Sequence, residues 1–321
     1  MKNLTLLVFL IVVLSGHCKS DRSGVIDLGY KPDRAELFAP GYISTNLYER
    51  DIAITARGDE IIFTLSDYKQ SRRCLVRVRK TGNLWGEKEI LSFSGLYNDI
   101  EPCFSSDGNK LFFASDRPIK AGSPANDYNI WVTKRLDDGW SEPEPLPPAI
   151  NTERNEFFPS VSSNNNLYFT SVRENGIGNE DIFLSRNVEG VYMEPQPLDT
   201  NINSENFEFN TWVNPDEKLI IFSSYGRKDD MGGGDLYYSK KDIQGNWIKA
   251  VNMGPEINSD KLDYCPFLDI SRANFYFTSE RAAPLNKKIQ NINELEEYAS
   301  GILNGMGNIY RISIDKIMNR N

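Results

Sequence analysis

The sequence predicts an all-β fold: a five-bladed β-propeller of four-stranded blades, its last blade closed by a strand from the N-terminus. Three observations predict it. One unit of about 54 residues recurs five times, each of the first four copies carries four short strand patterns, and the fifth copy lacks a fourth pattern while a spare one precedes the first copy. Four-stranded units of this length, repeated, are the sequence signature of propeller blades.

The chain opens on a segment of another kind. Lys2 precedes an uncharged apolar run, Leu4 to Leu14, which gives way at Ser15-Gly16-His17-Cys18 to polar Lys19-Ser20-Asp21-Arg22. A charged start, an apolar stretch too short to span a bilayer and a small-residue exit describe an export signal over residues 1–18. Cys18 is a candidate for lipidation, although His17 stands between Gly16 and the cysteine, and ordinary signal cleavage is the alternative. Residues 19–33 read as a linker, and residues 34–321 as one propeller domain.

Aligned copies begin at Glu49, Glu101, Glu156, Glu208 and Asp263, with spacings of 52, 55, 52 and 55. After each acid comes a first strand, then a turn such as Ser106-Asp107-Gly108-Asn109, then an apolar second strand such as Leu111-Phe112-Phe113. A Gly-rich connection leads to a third strand: Asn129 to Val132, Asp181 to Leu184, Asp235 to Tyr238, Asn308 to Tyr310. An aromatic opens the fourth, at Trp85, Trp140, Tyr192 and Trp247, and that strand is read as running to Ile150-Asn-Thr152, Ile202-Asn-Ser204 and Ile257-Asn-Ser259. The hydroxyl residue of those tripeptides stands four residues before the next acid, so the register is kept.

The fifth copy stops after its third strand. Ile43-Ser44-Thr45 stands four residues before Glu49, with Phe38 as the stand-in for the tryptophan, so an N-terminal strand is expected to complete the ring and cover an exposed edge. The fifth copy also carries an insertion, about 285–303, in which Ile289, Ile292, Leu295 and Tyr298 fall at helical spacing. It reads either as a short helix packed on the blade edge or as a recognition element on one face of the disk.

Composition narrows the chemistry. With 36 Lys and Arg against 45 Asp and Glu, the formal charge of −9 removes the electrostatic basis for nucleic-acid binding. The single histidine lies in the export segment, which excludes His-based triads and dyads and His-ligated zinc. Cys74, Cys103 and Cys265 have no Cys-x-x-Cys spacing; they read as small buried hydrophobes, with one chance disulfide left open.

The repeated pattern E-x-x-P-x-[FV]-S-x-D-G-x-x-L-x-F-x-S-x-R, followed by D-I-[FY] and W-x-x-P-x-x-L-x-x-x-I-N-[TS], resembles the WD40-like β-propeller repeats of exported bacterial proteins, the C-terminal domain of TolB being the familiar case. The resemblance covers roughly residues 34–315. The first copy departs from it, with Thr55-Ala56-Arg57-Gly58 in place of S-x-D-G and no arginine after Ser66. The resemblance implies a cell-envelope binding disk, often a lipoprotein of the periplasm or outer membrane, with protein or glycan partners and usually no catalysis. The separate N-terminal domain normal in TolB-like proteins is not expected here, so a role in that particular transport system is not implied.

The repeated acids Glu49, Glu101, Glu156, Glu208 and Asp263 are expected near the mouth of the central channel, where five carboxylates could attract a cationic ligand or hold Ca²⁺. A residue that every blade repeats is better explained by what every blade needs, and Arg117, Arg173, Arg227 and Arg281 recur alongside as structural partners. Catalytic acids would instead break the repeat, and Asp51 is the lone inner-strand acid that does so. The expectation is a monomeric, non-enzymatic binding protein needing no cofactor. The alternative is a five-bladed carbohydrate-active enzyme using two or three carboxylates.

Overall fold

The computed structural model describes residues 26–120, 127–284 and 286–315. The segment read as an export signal, residues 1–18, and the lipidation candidate Cys18 lie outside them. Five small antiparallel sheets form a five-bladed β-propeller, and helix contributes only 4%.

From the axis outward, blade 1 comprises Tyr48–Ile54, Glu60–Ser66, Arg73–Thr81 and Glu89–Ile90, and blade 2 comprises Asp99–Phe104, Lys110–Ser115, Asn129–Leu136 and Glu144–Pro145. Blade 3 comprises Glu156–Val161, Leu167–Ser171, Asp181–Ser185 and Gln196–Pro197, and blade 4 comprises Phe207–Val213, Leu219–Tyr225, Asp235–Lys240 and Val251–Asn252. Blade 5 has three strands from the chain's end, Asp263–Asp269, Asn274–Ser279 and Asn308–Ser313. Its fourth is Glu36–Leu37, which pairs antiparallel with Arg311 and Tyr310. The N-terminal strand thus closes the ring.

Two readings of the outer strands need correction. The fourth strands are only two residues long, and Trp85 and Trp140 sit before them in hairpin extensions of the third strands. The Ile-Asn-Thr/Ser tripeptides are connectors. Asn151, Asn203 and Asn258 place their side-chain amides against the backbone N–H and C=O of Ile130, Ile182 and Leu236, mimicking a fourth-strand partner that the short strand does not supply. Phe38 stands for a leucine and not for the tryptophan. Its N–H donates to Ile309 O as those of Leu91, Leu146, Leu198 and Met253 donate to their own third strands. Residues 26–33, within the stretch read as a linker, lie on the ring: Ile26 and Leu28 are buried, and Ser313 N–H donates to Pro32 O.

Alternating apolar residues of the second and third strands fill the spaces between blades. Tyr168, Phe63, Phe113, Phe169, Phe222 and Phe277 are fully buried there. Each inner strand breaks its ladder at a β-bulge, the register shifting between Arg50 and Ala53, Ile100 and Cys103, Phe157 and Ser160, Phe209 and Trp212, and Tyr264 and Phe267. The residue in the bulge has positive φ in all five blades: Asp51, Glu101, Phe158, Asn210 and Cys265. A bulge bends the strand and re-aims one side chain. Here that side chain is carried toward the axis.

The insertion forms a helix, Ile292–Ser300, begun by Asn291, whose side chain accepts from Glu294 N–H. None of its residues is buried, so it does not pack an apolar face on the blade edge.

Candidate functional site

The bulge geometry corrects the repeat register in blade 2. The acid that opens its inner strand is Asp99, and Glu101 stands two residues on, in the bulge. Asp99 pairs with Arg117 at 2.5 Å, as Glu156 pairs with Arg173 at 3.4 Å, Glu208 with Arg227 at 2.8 Å and Asp263 with Arg281 at 2.6 Å. The proline marks the register: Asp99-Ile-Glu-Pro102 matches Glu156-Phe-Phe-Pro159 and Asp263-Tyr-Cys-Pro266. Blade 2 has Gly95 where the other connectors carry Thr or Ser, so the hydroxyl landmark is missing there.

The repeated acids do not line the channel mouth. Glu49, Asp99, Glu156, Glu208 and Asp263 have no accessible surface. Thr45, Thr152, Ser204 and Ser259 each donate backbone N–H and hydroxyl hydrogens to the acid four residues later. Arg173, Arg227 and Arg281 also donate to the connector carbonyls of Ile150, Ile202 and Ile257. Each guanidinium lies over two aromatic rings of its own blade, for example Arg227 over Phe222 and Tyr237. Acid, arginine and connector form one internal clamp per blade. Blade 1 has no such arginine, and burial pushes the Glu49 carboxyl up to about 7, against the hydrogen bonds from Thr45 that pull it down.

The channel centre holds a different, unrepeated set. Arg50 Nε donates to Asp51 Oδ2 at 2.7 Å, and its Nη2 donates to Glu101 Oε1 at 2.8 Å. Glu101 Oε2 accepts from Phe158 N–H at 2.7 Å, and Oε1 also accepts from Asn210 Nδ2 at 3.3 Å. The Cys265 thiol donates to Asn210 Oδ1 at 3.6 Å, and Arg50 lies over the Tyr264 ring. Blades 1 to 4 therefore meet at the Glu101 carboxylate.

Burial raises the Glu101 carboxyl to about 7, with Asp51 adding to the rise and Arg50 opposing it. The Arg50 guanidinium, which burial alone would weaken as a base, is held protonated chiefly by Asp51. Burial also pushes the Cys265 thiol well up, so it is inert as a nucleophile. Tyr48 and Tyr264 pack with Phe158 and Cys265, and partly buried Phe157, Phe209 and Met306 pack against them, toward the face where the inner strands begin. On the opposite face the channel opens into a cavity of about 200 Å³ to which all five blades contribute, among them Ile54, Phe104, Val161, Trp212 and Phe267.

Among the described residues no group of three or more His, Cys, Asp or Glu is arranged to hold a metal ion, and Cys74, Cys103 and Cys265 are unpaired thiols. No helix among them is long and apolar enough to cross a membrane.

No family model and no curated protein matches the chain. Solved structures do. TolB from Acinetobacter baumannii is similar at 13% identity over 70% of this chain, with a TM-score of 0.45, and this chain spans only 47% of TolB. A GH62 hydrolase solved with xylotriose is similar at 12% identity, and the catalytic domain of the Coprinopsis cinerea GH62 α-L-arabinofuranosidase at 11%. Each match covers 88% of this chain and 97% of the other, with a TM-score of 0.47. Likeness at this level is a likeness of fold.

Proposed function

We propose that this chain is an exported cell-envelope propeller acting as a non-enzymatic binding module for a protein or glycan, held at a membrane through Cys18 and working as a monomer without a cofactor. One observation carries the reading. Asp51 and Glu101, the only bulge-position acids, are bound to the same Arg50 guanidinium and are 2% and 4% accessible. A retaining or inverting glycosidase needs one carboxyl free to give a proton and another free to attack or to activate water. Here the carboxylates hold blades together.

The second reading, a carbohydrate-active enzyme, rests on the same two residues, because each occurs in one blade only and both face the axis. The test is turnover of 4-nitrophenyl glycosides, an α-L-arabinofuranoside included, by the wild-type chain and by Asp51→Asn and Glu101→Gln. The binding reading predicts background rates from all three. Turnover by the wild type that both variants lose would establish the enzyme. For anchoring, Cys18→Ser is expected to move the protein from the membrane to the soluble fraction; an unchanged distribution refutes the anchor.

A further inference from the structure

The connection between second and third strands is 6 to 13 residues long in blades 1 to 4 and 28 residues long in blade 5. The extra chain builds the helix Ile292–Ser300 on the face where the inner strands begin. Its root is fixed: Ala283 N–H donates to Leu303 O at 2.9 Å, Asn308 Nδ2 to Ile302 O at 2.9 Å, and Asn304 Nδ2 to Asn46 O of the neighbouring blade at 3.3 Å. At roughly 100° per residue, Tyr298, Leu295, Ala299 and Ile292 form one unbroken apolar arc of about 120°. Glu294 borders the arc beside Tyr298, and Glu296 borders it beside Ile292. A helix of this design ordinarily buries its apolar arc. This one leaves Ile292 68% and Leu295 48% exposed.

We propose that this helix is a docking element that lays its apolar arc in a groove of a partner protein with an apolar floor and a basic rim. The proposal rests on the binding reading above and names the surface and the partner's chemistry. Charge selects the occupant. Helices that lie on membranes carry Lys and Arg on the polar face, where they meet anionic headgroups. The helix here carries Glu294, Glu296 and Glu297 and no cation, and the preceding Lys287 is 3.6 Å from Glu294. An acidic border on both sides of an apolar stripe matches a groove lined by cations.

The experiment places a photoreactive benzoylphenylalanine in the full-length chain, in cells that make it natively, at Leu295, at Ile270 beside the cavity on the opposite face, or at Ile243 on the rim of blade 4. A discrete protein adduct from Leu295 and none from Ile243 is expected. That protein, purified, should bind the wild-type chain, and the Ile292→Ser, Leu295→Ser double variant should weaken binding by roughly 30-fold. Glu296→Lys should weaken it by about fivefold, with faster loss as salt is added. Because no helix residue is buried, the double variant's melting temperature should match the wild type, which separates lost docking from lost folding. No adduct at Leu295, an adduct to lipid or to a second copy of this chain, or equal binding by the double variant would overturn the proposal. An adduct from Ile270 alone would overturn it while leaving the binding reading intact. No adduct at any position, together with glycoside turnover, would defeat both.

Discussion

At the scale of single residues, the centre of the ring is set by what five bulge positions happen to hold. Asp51 and Glu101 bring charge, Asn210 and Cys265 bring polar atoms, and Phe158 closes the set with a ring. Charge buried this deeply is costly unless it is paired and hydrogen-bonded. Arg50 pairs both acids, and Glu101 has three donors from three blades. Replacing Glu101 with Ala strips those donors of their acceptor, and we expect a loss of about 3 kcal/mol in chemical denaturation. Glu101→Gln keeps an acceptor and should lose less. The acidity of the site adds a pH signature. Both Glu49 and Glu101 rise from 4.5 to about 7 on folding, so the protonated native form is favoured. Their stabilising contribution is complete below about 4.5 and is lost as the pH climbs through 7. The urea midpoint should therefore fall between pH 5.5 and pH 8 by the equivalent of roughly 1 to 3 kcal/mol, and Glu101→Gln should flatten part of that fall. A fall unchanged in the variant would assign the titration to other groups.

At the scale of elements, the repeat was legible in the sequence wherever a residue type does the same work in every blade. The acid, arginine, turn and Ile-Asn-Thr/Ser connector could be aligned because each completes a bond that recurs: Asn151 fills the edge of the third strand, Thr152 holds Glu156, and Arg173 ties both together. Those marks lapse in blade 2. Its connector has Gly95 in place of the hydroxyl residue, and the glutamate before Pro102 mimics the repeated acid, so only the acid-x-x-Pro spacing separates Asp99 from Glu101. The bulges left no composition signal beyond three prolines, because a positive φ can be adopted by residues as different as Phe158 and Cys265. Strand length was also overestimated, since side-chain amides replace the backbone pairs that a longer fourth strand would make. The ring-closing strand, by contrast, could be placed from the missing fourth pattern alone. Phe38, at 0% exposure in a cluster shared by blades 1 and 5, anchors that seam. Phe38→Ala should cost about 3 to 5 kcal/mol and expose the segment before Tyr48 to limited proteolysis ahead of any other site. Equal protection in variant and wild type would mean that the seam is held elsewhere.

At the scale of the whole molecule, a closed ring shares its strain. Four blades carry their own acid-arginine clamp and the first lacks one; the N-terminal strand adds two backbone-paired residues to blade 5, and blades 1 and 5 meet through the buried cluster around Phe38 and the Glu49 N–H bond to Gly307 O. The Arg50 and Glu101 pair joins the neighbouring blades 1 and 2, and Glu101 reaches past blade 3 to accept from Asn210 of blade 4. The unrepeated pair of acids ties neighbouring blades together at one carboxylate, while a cavity lies on one face of the ring and an exposed helix on the other. The most direct measurement is a double-mutant cycle in urea on Arg50→Met, Glu101→Gln and the two combined. The account predicts a coupling energy of about 1 to 3 kcal/mol, the double variant being less destabilised than the sum of the single ones. Additivity within about 0.5 kcal/mol would contradict it, leaving Glu101 free for another task.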